Sequence, residues 1–361
     1  MSTIYIVSDS GKLQKKQDTL QHFAQDGTIT KVFPYKTEQL VILGNVEMTG
    51  PALKLLMHHN VDTVFMGKNG RFNGKLAFQQ GKNVFLRKKQ YKLADDISFK
   101  LSFSKSIVSG KLKNQLSFMQ RIKRKGREGG SIENAIGGIK KLIDKVPQAS
   151  SMNELRGLEG MGARYFFSVF KYNIIQDWAV FNGRSMHPPQ DNVNAVLSFL
   201  YTMIFYRIDG LLQAEDIDSY VGYLHELTYG KRTLAYDLME EYRTPIADTL
   251  CCALYNRATL EEEDFREVVF STNDDEFPLD AEGQENSDNE VPLYEEKKGV
   301  LLTKTGLKKV ISQFEKKLDT DIYYQPLGTS ISYKRVMREQ IRHFKRVIQG
   351  EEEYYKPLVT K

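Results

Sequence analysis

Over the first 86 residues the apolar positions come in short runs or alternate with polar ones, a period close to two. Residues 4–7, 30–34, 41–43 and 63–66 are the clearest such segments, set apart by Gly27, Gly44 and similar breakers. Asp9-Ser10-Gly11 reads as a turn between residues 4–7 and 12–16. One helical stretch interrupts the strands. Thr49 suits an N-cap, Pro51 an early helical position, and Leu53, Leu56 and Met57 share a face. An NGRFNG turn region and residues 75–78 follow. The pattern predicts a small β-rich domain over residues 1–86, closed by a polar connection over 87–97.

From residue 98 the period lengthens to that of helices. Leu101, Ile107, Val108, Leu112, Leu116, Met119 and Ile122 form one amphipathic run that the glycines near 126–130 end, with Ser131 capping the next helix over 132–143. Helical patterns recur at 152–175, 191–208, 216–227, 232–257, 303–318 and 330–349. The expected class is therefore α+β: a small N-terminal β-rich domain, then a larger all-α domain over 98–361. The longest apolar run, residues 196–206, falls short of the ~20 residues a bilayer span needs. No basic head and apolar stretch open the chain, and Cys251 and Cys252 are adjacent. A cytoplasmic, disulfide-free protein with no membrane partner is expected.

Charge changes the picture. The net +5 conceals a segment, 261–296, with fifteen acidic residues against Arg266, a net −14. The other 325 residues carry +19, a balance that suits a polyanion partner. Residues 271–296 have the composition of an extended surface loop. That loop is either inert or a DNA mimic covering the basic surface. No Walker loop or glycine-rich fingerprint follows a strand.

Three positions within the helical part carry candidate chemistry. Glu159 lies among Leu158, Met161 and the apolar run 165–170, beside Gly157, Gly160 and Gly162, each costing a helix ~1 kcal/mol relative to Ala. It is either an ordinary exposed helix residue or a carboxylate placed where something must approach closely. His225 follows an apolar run and is either a bonded core histidine or a ligand. Asp237 and Glu240, three apart, project from one helical face, where their repulsion is offset either by Arg243 or by a divalent cation. Glu159, His225 and Glu240, with Asp237 alongside, can form an oxygen–nitrogen site for Mg²⁺ or Mn²⁺, and an imidazole favours Mn²⁺. A divalent ion on a basic protein points to phosphodiester chemistry. Spacing alone does not tie the three segments together.

Five stretches in order do so by resemblance: 107–121 (IVSGKLKNQLSFMQR), 155–170 (LRGLEGMGARYFFSVF), 184–204, 222–248 and 299–318. With the β-rich start and VDTVFMGKNGRFNGKL (61–76), they make the chain resemble the CRISPR spacer-acquisition integrase, the first CRISPR-associated protein, with length and tail like type I systems. The resemblance implies metal ligands at Glu159, His225 and Glu240, with Asp237 a further acidic position. It implies a β-domain used for homodimerisation and a helical catalytic domain. Assembly with the small ferredoxin-like second CRISPR-associated protein is implied as well. Such a complex inserts a captured spacer duplex into the CRISPR repeat by metal-dependent 3′-OH transesterification, and the isolated protein also cleaves DNA.

Lys111, Arg121, Lys123, Arg124, Arg184, Arg232, Arg335, Arg338, Arg342 and Arg346 are candidates for DNA backbone contact, or else form solvated faces. Asn192 and Asn194 either order the site or cap a helix. Tyr165 and Tyr229 either stack on a frayed DNA end or pack inside. Two other readings stand beside the integrase: a stand-alone structure-specific repair endonuclease, and a non-catalytic DNA-binding scaffold.

Overall fold

The computed structural model describes residues 2–68, 70, 72–76, 83–125, 129–185, 188–270 and 297–360. The acidic segment 271–296 lies outside the described residues, and so does the question of what it covers.

Residues 2–75 build a six-stranded mixed sheet of order β3-β2-β1-β4-β5-β6. Its strands are β1 (Ser2–Lys16), β2 (Thr19–Ala24), β3 (Ile29–Val32), β4 (Thr37–Met48), β5 (Asp62–Met66) and β6 (Phe72–Lys75). Strand β4 runs parallel to both β1 and β5, and helix α1 (Gly50–His58) makes the crossover to β5. The turn expected at Asp9-Ser10-Gly11 is not formed. Strand β1 runs straight through it, with a register shift against β4 between Val7 and Ser10. A bulge absorbs the irregular residues without breaking the ladder.

Period-two alternation assigns the two faces of β4. Leu40 and Ile42 pack with Leu55 and Leu56 of α1 in a small core, while Val41 and Leu43 join the core of the helical domain. The β-domain is thus covered on both faces, one of them by the rest of the chain.

Residues 84–86, expected in the β-rich domain, and 87–95, expected in the polar connection, form helix α2 (Val84–Asp95), capped by the Asn83 side chain accepting from Leu86 N. Helix α3 (Ile97–Arg124) is the long spine, flanked by α4 (Gly129–Lys145) and α5 (Met152–Phe170). Gly162 allows a close crossing of α3 and α5: a Cβ there would stand 2.3 Å from Leu112 Cδ2. Gly157 and Gly160 face open space, so close approach explains only one of the three glycines. Helix α6 (Asn192–Ala214) has the length and apolarity of a membrane span, but its apolar window is 83% buried and it is the central core helix.

Helix α7 (Thr233–Tyr242) passes through a π turn (Arg243–Asp248) into α8 (Thr249–Asn256). Pro245 has no N–H to donate, and the widened turn fits the ladder it interrupts. The helical domain also carries strands. Among the described residues, β7 (Phe265–Phe270) pairs β8 (Lys297–Leu302), and β9 (Asp321–Tyr324) pairs β10 (Thr329–Ser332). The all-α expectation is corrected to a mostly helical one. Helices α9 (Lys304–Leu318) and α10 (Tyr333–Gln349) complete it.

Candidate metal centre

The helix expected over 216–227 is absent; the segment is an irregular loop, and the reason lies on α7. Gly222 N donates to Thr233 Oγ1 (2.9 Å), and Tyr223 N and Leu224 N donate to Asp237 Oδ2 (2.6 and 3.0 Å). His225 N donates to Asp237 Oδ1 (3.0 Å). Four successive backbone donors are taken by two side chains, so no helical ladder can form. Only glycine fits at 222, where a Cβ would lie 2.7 Å from the backbone of Thr233. From the other side Gln90 of α2 braces the loop through Asp218 N and O (3.0 and 2.7 Å).

Asp237 also accepts from His225 Nδ1 (2.6 Å). Fully buried and holding four hydrogen bonds, it is committed to orienting the imidazole. The described contacts of Asp237 all run to this loop and to the imidazole it orients, beside Glu240 on the same helix. Nε2 of His225 has no hydrogen-bond partner among the described residues and is left to accept a ligand. Burial lowers the basicity of His225. The bond to Asp237 and the charges of Asp237, Glu159 and Glu240 outweigh it, and its pKa is raised.

Glu159 on α5 and Glu240 on α7 come together through Lys111 of α3. Its Nζ lies 2.8 Å from Glu159 Oε1 and 2.9 Å from Glu240 Oε2, and all three are buried. Arg243 Nε stands 2.9 Å from Glu240 Oε1. Neither Glu240 oxygen receives a hydrogen bond of good alignment from these cations, although both are within ion-pair distance. With Lys111 between the carboxylates, no three His, Cys, Asp or Glu side chains among the described residues stand close enough together to hold a metal. The donor types nevertheless suit a divalent ion: an ammonium holds two buried carboxylates together, and the charges of both act on an imidazole that Asp237 orients. A poorly aligned buried carboxylate is open to a better cation.

The rest of the site is braced behind these groups. Arg243 and Arg184 stack over the Tyr201 ring (4.6 and 5.3 Å), and Tyr201 donates to Asp248 (2.5 Å). Burial raises Asp248 to about 6. Asn194, fully buried, accepts from Arg184 Nη1 and Ser185 N (both 3.0 Å) and donates to Gly183 O, while Asn192 donates to Trp178 O (3.3 Å). Both asparagines hold the 183–194 segment.

Glu241, next to Glu240 but on the opposite side of α7, accepts from Tyr355 Oη (2.7 Å), Gln340 and Leu358 N, and burial raises it to about 7. Asn114 donates to both Glu241 O and Leu358 O. The C-terminal segment is thereby tied to α3 and α7.

Several expected DNA contacts are otherwise engaged. Lys111 is buried within the site. Arg232 packs against Phe72 and Tyr220 and pairs with buried Asp209 (3.3 Å). Arg338 pairs with Glu38, Arg342 with Glu215 (3.0 Å), Arg346 with Glu352, and Lys123 with Glu133 (2.7 Å). Arg121, Arg124 and Arg335 make no ion pair among the described residues. Tyr165 packs at Gly138, where a Cβ would lie 2.5 Å from its ring, whereas Tyr229 is fully exposed.

What sequence reasoning missed was the place of Lys111. The signal was present: Lys111 falls on the apolar stripe Ile107, Val108, Leu112, Met119, where a solvated lysine does not belong.

A sequence model of the family described as CRISPR associated protein Cas1 matches residues 4–277. The chain belongs to the Cas1 family. A CRISPR-associated endonuclease Cas1 of Leptospira interrogans is 33% identical over 284 residues, covering 76% of this chain and all of the relative. One from Thermus thermophilus is 28% identical over 363 residues, covering 100% and 98%. Among solved structures, a CAS1 protein from Thermotoga maritima superposes with a TM-score of 0.77 at 20% identity, over 98% of this chain and 99% of that one. A casposase bound to integration product gives 0.79 at 19%, over 100% and 95%. The β-sheet followed by a mostly helical region is thus the Cas1 fold, and the match to the Cas1 sequence model spans Glu159, His225 and Glu240.

Proposed function

We propose that this chain is a metal-dependent DNA integrase and endonuclease of CRISPR adaptation, with Glu159, His225 and Glu240 as ligands for Mg²⁺ or Mn²⁺. The observation that carries the reading is the pair of buried glutamates, drawn from two helices and held together by one ammonium beside an oriented imidazole. An ion held by these three residues would supply Lewis-acid polarisation of a phosphoryl oxygen and stabilisation of charge on the leaving oxygen. The chain's own groups set the frame. Asp237 keeps the Nδ1 proton of His225 in place so that Nε2 faces outward. Arg243 holds the Glu240 carboxylate, and Lys111, once displaced, is a cation beside the reacting phosphate.

In the joining step a spacer 3′-hydroxyl oxygen forms a bond to a repeat phosphorus as that phosphorus loses its bond to the departing 3′-oxygen. The proton lost by the attacking hydroxyl is balanced by the one the leaving oxygen gains. Water in place of the hydroxyl gives cleavage. The relatives are named as endonucleases, and matched structures include a Cas6-RT-Cas1–Cas2 complex and a Cas1–DNA complex. For this chain the partners are accordingly a spacer duplex and CRISPR repeat DNA, a second copy of itself, and the small ferredoxin-like second CRISPR-associated protein, in the cytoplasm.

The test offers a short duplex and a supercoiled repeat-bearing plasmid with Mg²⁺ or Mn²⁺, with and without the small partner. Joining that needs both the metal and the partner is expected. Cleavage without joining, partner present, points to a stand-alone nuclease; DNA binding with neither reaction points to a scaffold.

A further inference from the structure

The basic residues of this chain divide by whether an acidic group answers them. On α10, Lys334 reaches Glu315 and Asp319, Arg338 reaches Glu38, Arg342 and Lys345 share Glu215, and Arg346 reaches Glu352. At the ends of α3 and α9, Lys123 with Glu133 apart, the opposite holds. Arg121 and Arg124 lie in the last turn of α3 and Lys317 in the last turn of α9, and no described carboxylate pairs with any of them.

Lys317 Nζ stands 5.0 Å from the ring centroid of Tyr333, the buried first residue of α10. Arg121 is close enough to act on both. Arg121 and Lys317 are half-buried and Arg124 is exposed, so the cluster opens to solvent. Burial and the charge of Arg121 push Lys317 down to about 8. Burial, with Arg124 adding to it against the help of Tyr333, lowers Arg121 as well. Like charges gathered away from water without a counter-ion oppose folding, and an anion relieves them.

Arg121 follows Lys111 by ten residues on one helix, ~15 Å along its axis. Backbone phosphates recur every ~3.4 Å of duplex axis on each strand. That separation is roughly four to five steps of a duplex lying along α3.

We propose that Arg121, Arg124 and Lys317 form a binding site for backbone phosphate of a DNA strand that runs from the Glu159–Glu240 centre along α3. The proposal rests on the DNA-processing reading above. Cations from two helices, with no side-chain amide among their contacts, read charge and not sequence, so this site supplies affinity and register.

The test is the salt dependence of duplex binding by the full-length protein, its R121Q/K317Q double variant and, as a control on a lysine already paired, K345Q. The double variant is expected to lower the slope of log K against log salt by ~2 and to weaken binding ~10-fold or more near 0.1 M salt. K345Q, which removes a lysine already held by Glu215, is expected to leave the slope nearly unchanged. K317Q alone is expected to raise the melting temperature by relieving repulsion from Arg121. An unchanged slope in the double variant overturns the site while leaving the DNA reading intact. A lowered melting temperature for K317Q also overturns it, since Lys317 then serves to staple α9 to Tyr333. Wild-type protein without salt-dependent binding overturns both.

Discussion

Two lysines in this molecule do the same thing at first sight: each joins two acidic side chains that the fold has buried. Lys75 of β6 reaches Asp62 (2.7 Å) and Asp209 (2.9 Å), joining the β-domain to α6. Lys111 of α3 reaches Glu159 and Glu240 at nearly the same distances. Their surroundings differ. Around Lys75, Arg232 also pairs with Asp209 and Gln39 donates to Asp62 (2.8 Å), so two cations meet two anions. Around Lys111, among the described residues, Lys111 and Arg243 meet Glu159 and Glu240, with Asp237 beyond them on His225. A balanced buried network has no use for a further ion and serves to fix the two domains. The network around Lys111, with an imidazole beside it, is where the proposed cation would bind.

The comparison can be broken by mutation. The largest effect is expected from Glu159→Ala, His225→Ala or Glu240→Ala. Each should cut Mn²⁺-dependent strand joining ~10³-fold or more while keeping most DNA binding, read by product gels and by fluorescence anisotropy; retained activity in all three removes the proposed centre.

Asp209→Ala, in the balanced network, should act on stability instead. It leaves Arg232 without its carboxylate and Lys75 with Asp62 alone, and should cost about 3–5 kcal/mol in urea unfolding. A drop in activity without a stability loss there would erase the distinction between the two lysines.

Asp237→Asn keeps the shape of the carboxylate but forfeits its charge and the loop grip. Metal affinity or turnover should fall ~10–100-fold, and calorimetric titration with Mn²⁺ separates the two.

Lys111→Met should lower the melting temperature in chelator, where Glu159 loses its cation and Glu240 is left with Arg243. Millimolar Mn²⁺ should restore more of it than in wild type, since metal binding to the folded state stabilises it.

The smallest effect concerns Lys317. Its folded pKa of about 8 lies below the ordinary 10.5, so above pH 8 the unfolded chain binds the extra proton. Stability should therefore gain a component between pH 8 and about 9.5, below the range where Tyr333 titrates. Below about 8 the penalty is fully present. The K317Q variant should lack the rise in thermal melts.

Much of this was legible in the chain. The change of period near residue 98 located the two regions, whereas Ser131, expected to cap a helix, lies inside α4, which begins at Gly129. The metal set was legible only through family resemblance, because Glu159, His225 and Glu240 lie on three separate segments. Local reasoning failed at residues 216–227. There the helical pattern was outweighed by Asp237 and Thr233, side chains more than ten residues away that take the loop's donors. It failed again on the basic residues, whose partners come from distant elements: Glu38 for Arg338, Glu215 for Arg342, Asp209 for Arg232.

By itself, then, the sequence determined most of the helices and the first strands, which faces are apolar, and that a basic body carries an acidic stretch. These follow from periodicity and composition, which are local. Tertiary structure decided which charges are answered. It placed Lys111 between two glutamates, gave Asp237 to His225, balanced Lys75, and left Arg121, Arg124 and Lys317 without a carboxylate among the described residues. Electrostatic energy depends on distance through space and on exclusion of water, and neither is written in the order of residues along the chain.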